Sequence, residues 1–480
     1  MSDLRDSSLA RPSARFDVWS LASRGDALAL IDVKRGDSIS YATLHARATA
    51  LAKDLAHATS VPGGRGLVFV AAALDVSTIV AYLAALQAGH AVFLFDAAAH
   101  TSLQDELRAR YRPDVVLTTV GADLHIERCP GDPARTIHPE LAVLLSTSGT
   151  TGSPKLVRLS FDNLLANARS IASYLQLDAH ERAISSLPFH YSYGLSVLQS
   201  HLWAGASMVV SDASLMRPEL WQAVREHACT SFAGVPYAYQ IMRRIGFEKL
   251  SLPALRTLTQ AGGKLPTPLV VHYHQLMQAR GGRFFAMYGQ TEATARMSYL
   301  PPARLPEHAG SIGIAIPDGE LLVADLHDGR ELREPGQTGE LVYRGPNVML
   351  GYATGSDELA LGDTQGGLLR TGDLGHRDAE GLFYVTGRLK RFAKVYGLRV
   401  NLDDVEERVR KHGVAAVVSN DESLTIFCEF GDPALHAELQ RELALVYQLN
   451  LNTFRFRRVE ALPLLASGKT NYDALQQRTD

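Results

Sequence analysis

The chain has 480 residues, 48 of them basic and 51 acidic, which gives a formal net charge of −3. This length exceeds what one compact core normally holds, so we expect two or three domains. The near balance of charges argues against nucleic acid or a membrane surface as a partner. The three cysteines are too few and too far apart for a disulfide framework or a zinc site, which favours free thiols in a reducing compartment.

The N-terminal region has no apolar run of the kind that a secretory signal needs. The most apolar stretch, residues 66–95, is interrupted by polar residues and by glycine. Its pattern predicts a strand, a helix and a second strand rather than a membrane span, over Leu67–Ala71, Asp75–Ala88 and Ala91–Phe95. We therefore expect a cytoplasmic protein without a membrane-spanning segment.

Three regions of different pattern follow one another along the chain. Residues 26–295 alternate short apolar strands with amphipathic helices, which predicts a large, layered α/β domain. Residues 310–385 have short strands and frequent glycine turns, typical of a β-rich subdomain. The basic segment 387–401 is expected to be a loop that leads into a small, mobile C-terminal α/β domain, with helices near 405–411 and 433–447. The predicted domains are 1–389 and 390–480, with a hinge between them.

The strongest local signal is LLSTSGTTGSPK at 144–155, directly after an apolar strand. Glycines allow backbone N–H groups to turn toward an anion, and hydroxyl groups and a lysine complete a phosphate site. The spacing differs from that of a Walker A loop, and the alternative interpretation is a flexible polar linker. The candidate phosphate-binding residues are Thr147, Ser148, Gly149, Thr150, Thr151, Gly152 and Lys155.

Four further features supply groups suited to nucleotide chemistry. AMYGQTEAT at 286–294 combines an aromatic ring, a turn glycine, a hydroxyl and the carboxylate of Glu292. LRTGDL at 369–374 places Asp373 after a turn, where a carboxylate is able to accept two ribose hydroxyls. Arg388 follows soon after, and Lys469 lies in the C-terminal segment LPLLASGKTNYDAL. Taken singly, each has a plain structural explanation, as a helix-terminal acid, a turn residue or a solvated cation.

Together these segments resemble the superfamily of adenylate-forming enzymes, which includes acyl-CoA synthetases, peptide-synthetase adenylation domains and luciferases. STSGTTGSPK is similar to its phosphate loop, LPFHYSYGL to its aromatic motif, MYGQTEA to its Y-G-x-T-E motif and LRTGDL to its ribose motif. GRLKRFAKVYGLRVN resembles the hinge motif and LLASGKTNYDAL the catalytic-lysine motif. The resemblance extends from about residue 26 to about residue 475. It implies a ligase that uses ATP and Mg²⁺ to form an acyl-adenylate.

The resemblance implies where the reacting groups bind. The loop Thr147–Gly152 with Lys155 would hold the β- and γ-phosphates that leave as pyrophosphate. Thr291 would contact the α-phosphate and Glu292 the Mg²⁺. Lys469 would bridge the substrate carboxylate and the α-phosphate, where a cation offsets the repulsion between two anions.

The resemblance also implies an adenosine site. Tyr288 would stack near adenine, against the backbone at Gly262 and Gly263. Asp373 would accept the ribose hydroxyls, with Arg388 beside it.

In the superfamily the small domain turns at a hinge after adenylation, and Lys390 stands at the matching position. This turn would withdraw the lysine and bring the Gly397 segment to the acyl-transfer face. The alternative interpretation of this basic segment is a solvated loop or a nucleic-acid patch. The net charge and the scarcity of aromatic residues around it disfavour nucleic acid.

The aromatic motif lacks the aspartate that α-amino-acid adenylation domains usually carry. An unpaired buried ammonium group is costly, so a fatty or aromatic acid is favoured as the substrate. His190 has the alternative interpretation of a packed core histidine. The predicted acyl pocket consists of His190, Tyr193, Gly194, Gly234, Val235, Gly263 and Ala286.

Two departures from the superfamily leave the acceptor open. Leu156-Val157 and Ser160-Phe161 replace the usual residues after the phosphate loop, and the C-terminal domain is shorter than in most acyl-CoA synthetases. The leading hypothesis is a biosynthetic ligase that transfers the acyl group to a thiol, either CoA or the phosphopantetheine of an acyl carrier protein. The alternatives are an amine-type nitrogen acceptor, a non-catalytic relative that binds nucleotide or acyl ligand, and a luciferase-like oxygenase.

Overall fold

The computed structural model describes residues 21–56, 64–120, 123–146, 155–389, 391–395, 398–420, 423–465 and 469–479. The helices are α1 (Tyr41–Ala56), α2 (Val76–Gln87), α3 (Thr101–Tyr111), α4 (Phe161–Leu175), α5 (Ser192–Ala204), α6 (Pro218–Glu226), α7 (Pro236–Arg244), α8 (Thr267–Ala279), α9 (Leu402–Arg410), α10 (Pro433–Tyr447) and α11 (Tyr472–Gln476). The first thirteen strands are β1 (Leu28–Asp32), β2 (Asp37–Ser40), β3 (Leu67–Ala72), β4 (Ala91–Asp96), β5 (Val115–Val120), β6 (Asp123–Arg128), β7 (Leu141–Ser146), β8 (Leu156–Ser160), β9 (Arg182–Ile184), β10 (Ser207–Val210), β11 (Ser231–Gly234), β12 (Thr257–Gln260) and β13 (Arg283–Tyr288). The remaining strands are β14 (Ser298–Leu300), β15 (Ile314–Ala315), β16 (Glu320–Ala324), β17 (Gly339–Arg344), β18 (Gly351–Ala353), β19 (Leu368–Arg377), β20 (Phe383–Arg388), β21 (Phe392–Val395), β22 (Leu398–Asn401), β23 (Ala415–Ser419), β24 (Leu424–Cys428) and β25 (Phe454–Arg458).

Two large sheets form the layered α/β body that the sequence predicts. One has nine strands in the order β15-β14-β13-β12-β11-β9-β10-β1-β2, and the other has seven in the order β18-β8-β7-β4-β3-β5-β6. Their inner strands pair in parallel. All six residues of β3 are buried, as expected for a parallel strand covered on both faces.

The helices that cover these sheets begin at local sequence signals. Asp75 accepts a hydrogen bond from the backbone N–H of Thr78 at the start of α2. Ser160 and Asn163 form a reciprocal capping box at the start of α4. Such caps satisfy backbone N–H groups that have no partner within the helix. The predicted element Asp75–Ala88 thus includes the cap residue at each end of the observed helix.

The carboxyl ends of three neighbouring parallel strands meet at one edge of the nine-stranded sheet. β11, β12 and β13 are in register, with Gly234 beside Gln260 and Gln260 beside Ala286. Ligands of open α/β sheets bind at this edge, beyond the ends of the strands. The register therefore brings together segments that lie about fifty residues apart in the sequence.

A four-stranded antiparallel sheet, in the order β16-β17-β19-β20, forms the predicted β-rich part. Its first and last strands span residues 320–388, close to the expected 310–385. The sheet ends at Arg388, next to the segment that leads into the C-terminal region.

The C-terminal region has its own core around a three-stranded sheet, β23-β24-β25. The expectation that residues 387–401 form a loop is wrong, because β20 extends to Arg388 and β21 and β22 form an antiparallel hairpin. Ala393, Val395 and Val400 are buried in the C-terminal core. Basic residues between these positions obscured the alternating pattern that a half-buried hairpin requires.

A polar cluster ties the start of this hairpin to the C-terminal segment. The Arg391 guanidinium donates to Asp403 at 2.6 Å and to Glu406 at 2.8 Å, and it lies 3.9 Å from the ring centroid of Tyr472. The Tyr472 hydroxyl donates to the same Glu406 at 2.7 Å. β21, α9 and α11 are therefore joined by partly or fully buried, charge-assisted contacts, which are stronger than neutral ones.

Among the described helices, none combines the length and the apolar character that crossing a bilayer requires. The three cysteines are free thiols, and two of them, Cys229 and Cys428, are buried.

Candidate active site

The predicted ribose carboxylate lies in a polar cluster on the β-rich sheet. Asp373 on β19 pairs with Arg388 on β20, and the Arg388 Nε lies 3.0 Å from the Asp373 Oδ1. The Tyr288 hydroxyl donates to the Asp373 Oδ2 at 2.5 Å. Burial and the Asp373 carboxylate both raise the pKa of Tyr288, so its hydroxyl stays protonated as a donor. Two predicted adenosine residues, Arg388 and Tyr288, therefore contact the carboxylate of a third, Asp373.

The sequence interpretation missed Gln290 as a member of this cluster. Its side-chain amide donates to the Asp373 Oδ2 at 3.0 Å and to the Thr371 carbonyl at 2.9 Å. Gln290 lies within the motif that carries Tyr288, but only the distant β19 supplies its partners. These donors fix the orientation of a carboxylate that is only 3% exposed.

A tight loop presents the next two predicted residues. The Met297 N–H bonds back to the Tyr288 carbonyl at 2.9 Å, which closes the loop 289–296. Inside this turn, a Cβ on Gly289 would lie 1.7 Å from the Ala295 carbonyl oxygen, so only glycine fits there. Thr291 lies near the top of the loop, and its hydroxyl oxygen is 3.1 Å from that of Ser192.

Glu292, the predicted metal ligand, is linked to the phosphate-loop lysine through one aromatic residue. The Tyr352 hydroxyl donates to the Glu292 Oε1 at 2.9 Å, and the Lys155 Nζ lies 3.2 Å from the Tyr352 ring centroid. The sequence analysis assigned no role to Tyr352. In the part of the chain that the structure describes, no group of three or more His, Cys, Asp or Glu residues forms a metal site. A single carboxylate fits Mg²⁺, which typically binds one or two carboxylates together with substrate phosphates.

Removing the Tyr352 hydroxyl is expected to weaken the metal site selectively. Tyr352→Phe keeps the ring beneath Lys155 but leaves Glu292 without its donor. Loss of a partner that orients a metal ligand typically costs 10–100-fold in metal affinity, so we expect the Mg²⁺ concentration at half-maximal pyrophosphate release to rise by about tenfold or more. The measurement is a Mg²⁺ titration at fixed ATP. Tyr384→Phe, on the same domain, is the control, and an unchanged Mg²⁺ requirement in Tyr352→Phe would contradict the link.

The predicted catalytic lysine is subject to the charges of these groups. Lys469 is partly buried, and its pKa falls to about 8, chiefly through burial and then through the positive charge of Arg388. The carboxylates of Asp373 and Glu292 act in the opposite direction on this pKa. Its backbone carbonyl accepts from the Leu465 N–H at 2.7 Å. The structure therefore brings Lys469 into the electrostatic neighbourhood of the predicted ribose and metal residues.

Small residues and one tyrosine line the adjoining edge of the sheet. Gly262 has a φ of +85°, and a Cβ there would lie 2.5 Å from the Tyr191 hydroxyl. Gly263 packs against Pro236, and Gly234 against the rings of Tyr239 and Phe232. Glycine is needed at Gly262 both for its backbone conformation and for the space. Val235 and Ala286 lie on the same edge, at the ends of β11 and β13.

The predicted pocket residues of the aromatic motif have different surroundings. Tyr193 is buried, and its hydroxyl donates to the Thr259 carbonyl at 2.9 Å. A Cβ on Gly194 would lie 2.2 Å from the Pro188 carbonyl oxygen, so α5 packs tightly at its start. The buried Nδ1 of His190 has no described partner. Burial lowers the pKa of His190, against the opposing effect of Asp96, so the ring is neutral near pH 7.

Several predicted residues lie outside the described part of the chain. They are Thr147, Ser148, Gly149, Thr150, Thr151, Gly152, Lys390 and Gly397. Their roles stay predictions. The strands on either side of the phosphate loop are in place, because Ser146 at the end of β7 pairs with Leu156 at the start of β8.

The sequence resembles curated CoA ligases. It is 29% identical to the oxalate–CoA ligase of Arabidopsis thaliana over 355 residues, which cover 69% of this chain and 66% of the relative. It is 33% identical to the indoleacetate–CoA ligase of Aromatoleum aromaticum over 264 residues (54% of this chain, 50% of the relative). The match to the sulfoacetate–CoA ligase of Cupriavidus necator is 33% over 275 residues (56% and 52%). The matched region thus spans one half to two thirds of the length of these relatives.

Solved structures show the same fold over nearly the whole chain. ATP-bound MatB from Rhodopseudomonas palustris matches with a TM-score of 0.79 at 23% identity, covering 96% of this chain and 98% of that one. O-succinylbenzoate coenzyme A synthetase (MenE) from Bacillus subtilis, in complex with AMP, matches with a TM-score of 0.77 at 22% identity, covering 96% and 97%.

The family model described as AMP-binding enzyme matches residues 95–353, more than half of the chain. This span contains the phosphate-loop segment, the aromatic motif and the loop that carries Thr291 and Glu292. The chain therefore belongs to the family of AMP-binding enzymes, within the adenylate-forming superfamily.

Proposed function

We propose that the protein is an ATP-dependent acid–thiol ligase. In the first step an oxygen of the substrate carboxylate attacks the α-phosphorus of ATP, and the bond to the β-phosphate oxygen breaks, which gives acyl-adenylate and pyrophosphate. In the second step a thiol attacks the acyl carbonyl carbon, loses its proton, and gives a thioester and AMP. The observation that carries the proposal is that the charges of Arg388, Asp373 and Glu292 all act on Lys469.

The described residues have separate roles in the first step. Asp373, held by Tyr288 and Gln290, would accept the ribose hydroxyls and so position the α-phosphorus. The Lys469 ammonium would lie between the two reacting anions and reduce their repulsion. Glu292 would hold Mg²⁺, which neutralises charge on the phosphates when it is bound. Preorganised charges of this kind supply most of the rate acceleration in phosphoryl and nucleotidyl chemistry.

We propose a fatty or aromatic acid without an α-amino group as the substrate. No carboxylate stands in the aromatic motif at residues 187–195. The buried guanidinium of Arg296 lies 4.6 Å from the ring centroid of Tyr193, a predicted pocket residue. A substrate ammonium would meet this cation instead of an anion, which disfavours amino acids.

CoA is the proposed thiol, since the curated relatives include several CoA ligases. Carrier-protein phosphopantetheine presents the same thiol and is the second candidate. After adenylation the domain 390–480 would turn at Lys390 and bring the Gly397 segment to the acyl-transfer face, where the thiol reacts. One contact that this turn would break joins Lys264 to Glu407 on α9 at 3.0 Å, and both side chains are exposed. Exposed ion pairs contribute little, about 0–1 kcal/mol, so this contact would not oppose the motion.

The deciding experiment measures pyrophosphate release with a panel of fatty, aryl and amino acids. Hydroxylamine traps the adenylate, and the panel is repeated with CoA and with a phosphopantetheinylated carrier protein. Release with fatty or aryl acids and a thioester product would support the proposal. An amide formed with amines but no thioester would indicate a nitrogen acceptor. Failure of every acid, in folded protein with ATP and Mg²⁺, would contradict the enzymatic proposal.

The first step should lose activity as the pH rises through about 8. The pKa of Lys469 falls from 10.5 to about 8, so its ammonium form is present below this pH and is lost above it. We expect kcat/KM for ATP, which reports on the free enzyme, to fall in that range. Bound anions favour the ammonium form, so the corresponding limb of kcat should lie at higher pH.

The measurement is pyrophosphate release from pH 6 to 10 at subsaturating ATP. Lys469→Arg keeps a positive charge throughout this range and should remove the limb near pH 8, whatever its absolute rate. A wild-type profile that stays flat up to pH 9.5 would contradict the assignment.

A further inference from the structure

Arg296 is a buried cation on the loop that presents Thr291. Its side chain is 1% exposed, and its Nη1 donates to the Tyr174 hydroxyl and the Met287 sulfur, both at 3.0 Å. Its Nε is buried and has no hydrogen-bond partner among the described residues. Within the described residues no carboxylate forms an ion pair with it. A guanidinium has five N–H donors, so much of its capacity is unused here.

Arg158 shows how this fold satisfies a buried arginine that has only a structural role. It is fully buried, yet its guanidinium donates to the carbonyls of Tyr352, Leu361, Leu350 and Gly362. Arg135 is likewise buried and paired with a carboxylate, Asp114. Within the described residues, Arg296 has neither a set of carbonyl acceptors nor a carboxylate partner. Burying an uncompensated charge is costly.

The position of Arg296 connects it to the proposed acyl site. It ends the loop 289–296 that presents Thr291, and it stacks on Tyr193 from α5. The neighbour of Tyr193, Ser192, contacts the Thr291 hydroxyl. The guanidinium therefore lies among Tyr174, Met287 and Tyr193, the last of which is a predicted pocket residue.

We infer that the acid substrate carries a second anionic group at the end away from the activated carboxylate, and that Arg296 binds it. This inference rests on the proposed ligase function and names its substrate class. A guanidinium presents paired N–H donors that match the oxygens of a carboxylate or a sulfonate. The second anion would pair with the Arg296 guanidinium, which forms no ion pair within the described residues. The activated carboxylate would still interact with Lys469.

The first test uses the wild-type protein and pairs of acids of equal length. Glutarate is compared with pentanoate, 3-sulfopropionate with butyrate, and terephthalate with 4-methylbenzoate, by kcat/KM for pyrophosphate release. We expect the dianionic member of at least one pair to be favoured by about 100-fold or more, because sites built around a polar group strongly reject analogues that lack it. The carboxylate and sulfonate pairs distinguish the two kinds of anion.

Equal or better turnover of the singly charged member in every pair would overturn the inference and leave the proposed ligase function intact. Absence of pyrophosphate release with all acids would overturn both. The two failures are therefore distinguishable in one experiment.

The second test measures how the ratio between paired acids depends on Arg296. In Arg296→Met the ratio of kcat/KM for the dianionic acid to that for the singly charged acid should fall by about 100-fold or more, toward one. Arg296→Lys keeps the charge and should retain part of the preference. Thermal unfolding and ATP binding of both variants report on folding.

A ratio in Arg296→Met equal to that of the wild type would show that Arg296 only fills space and would overturn the inference. If Arg296→Met does not fold, the Arg296→Lys ratio and the wild-type pairs still decide the question. In that case a wild-type preference that a folded Arg296→Lys keeps in full would overturn the inference.

Discussion

Lys469→Ala is expected to release pyrophosphate about 100- to 1000-fold more slowly than the wild-type protein, which is the usual cost of losing one well-placed donor at a developing charge. The substitution removes an ammonium group on which the charges of Arg388, Asp373 and Glu292 all act. Thioester formation from a preformed acyl-adenylate should continue, because the lysine acts on the attack at phosphorus. The measurement compares the two half-reactions in the same preparation.

Lys411→Ala is the matched control, since Lys411 is an exposed lysine on the same domain. It should leave both half-reactions at wild-type rates. Normal pyrophosphate release by Lys469→Ala would exclude the catalytic assignment. Equal loss of both half-reactions would instead indicate a folding defect or a general role in nucleotide binding.

Asp373→Asn is expected to raise the KM for ATP by about 100-fold or more. Hydrogen bonds to a charged acceptor contribute roughly 1.5–3 kcal/mol each, and two ribose hydroxyls would lose the carboxylate together. The neutral amide also leaves the Arg388 guanidinium without its counter-charge at 3.0 Å. The decisive measurement is the preference for ATP over 2′,3′-dideoxy-ATP, which should be strong in the wild type and largely lost in the variant.

Asp363→Asn serves as the control, because Asp363 is an exposed aspartate that accepts the backbone N–H groups of Gln365 and Gly366. It should leave the preference unchanged. If Asp373→Asn retained the full discrimination against the dideoxy analogue, Asp373 would not bind the ribose, whatever happened to the overall rate.

Local signals made much of the fold predictable. The helix Pro433–Tyr447 was predicted with its observed bounds, because Asp432 caps it and proline occupies its first turn. The bounds of β3 and α2 were predicted to within one or two residues. Both elements are largely buried, and this burial requires a nearly continuous run of apolar residues in the sequence. The hairpin at 392–401 was missed, because lysines and arginines alternate with its buried residues.

A site residue was predictable from the sequence only where it lay inside a recognisable motif. The resemblance placed Arg388 beside Asp373, whereas the contact of Tyr288 with Asp373 was not predicted, because it depends on the fold around β13. Gln290, Tyr352 and Arg296 escaped assignment for the same reason. Their significance lies in partners from 60 to more than 100 residues away, which periodicity and spacing do not reveal.

The cluster of Arg391, Glu406 and Tyr472 affects the timing of the reaction. It fastens the residue after Lys390 to the helix that begins three residues after Lys469. If the small domain turns at Lys390 as we propose, Lys469 has to move together with it as part of one rigid unit. The two half-reactions would then be mutually exclusive at any instant. An adenylate, once formed, would face either its catalyst for reversal or its acceptor, never both.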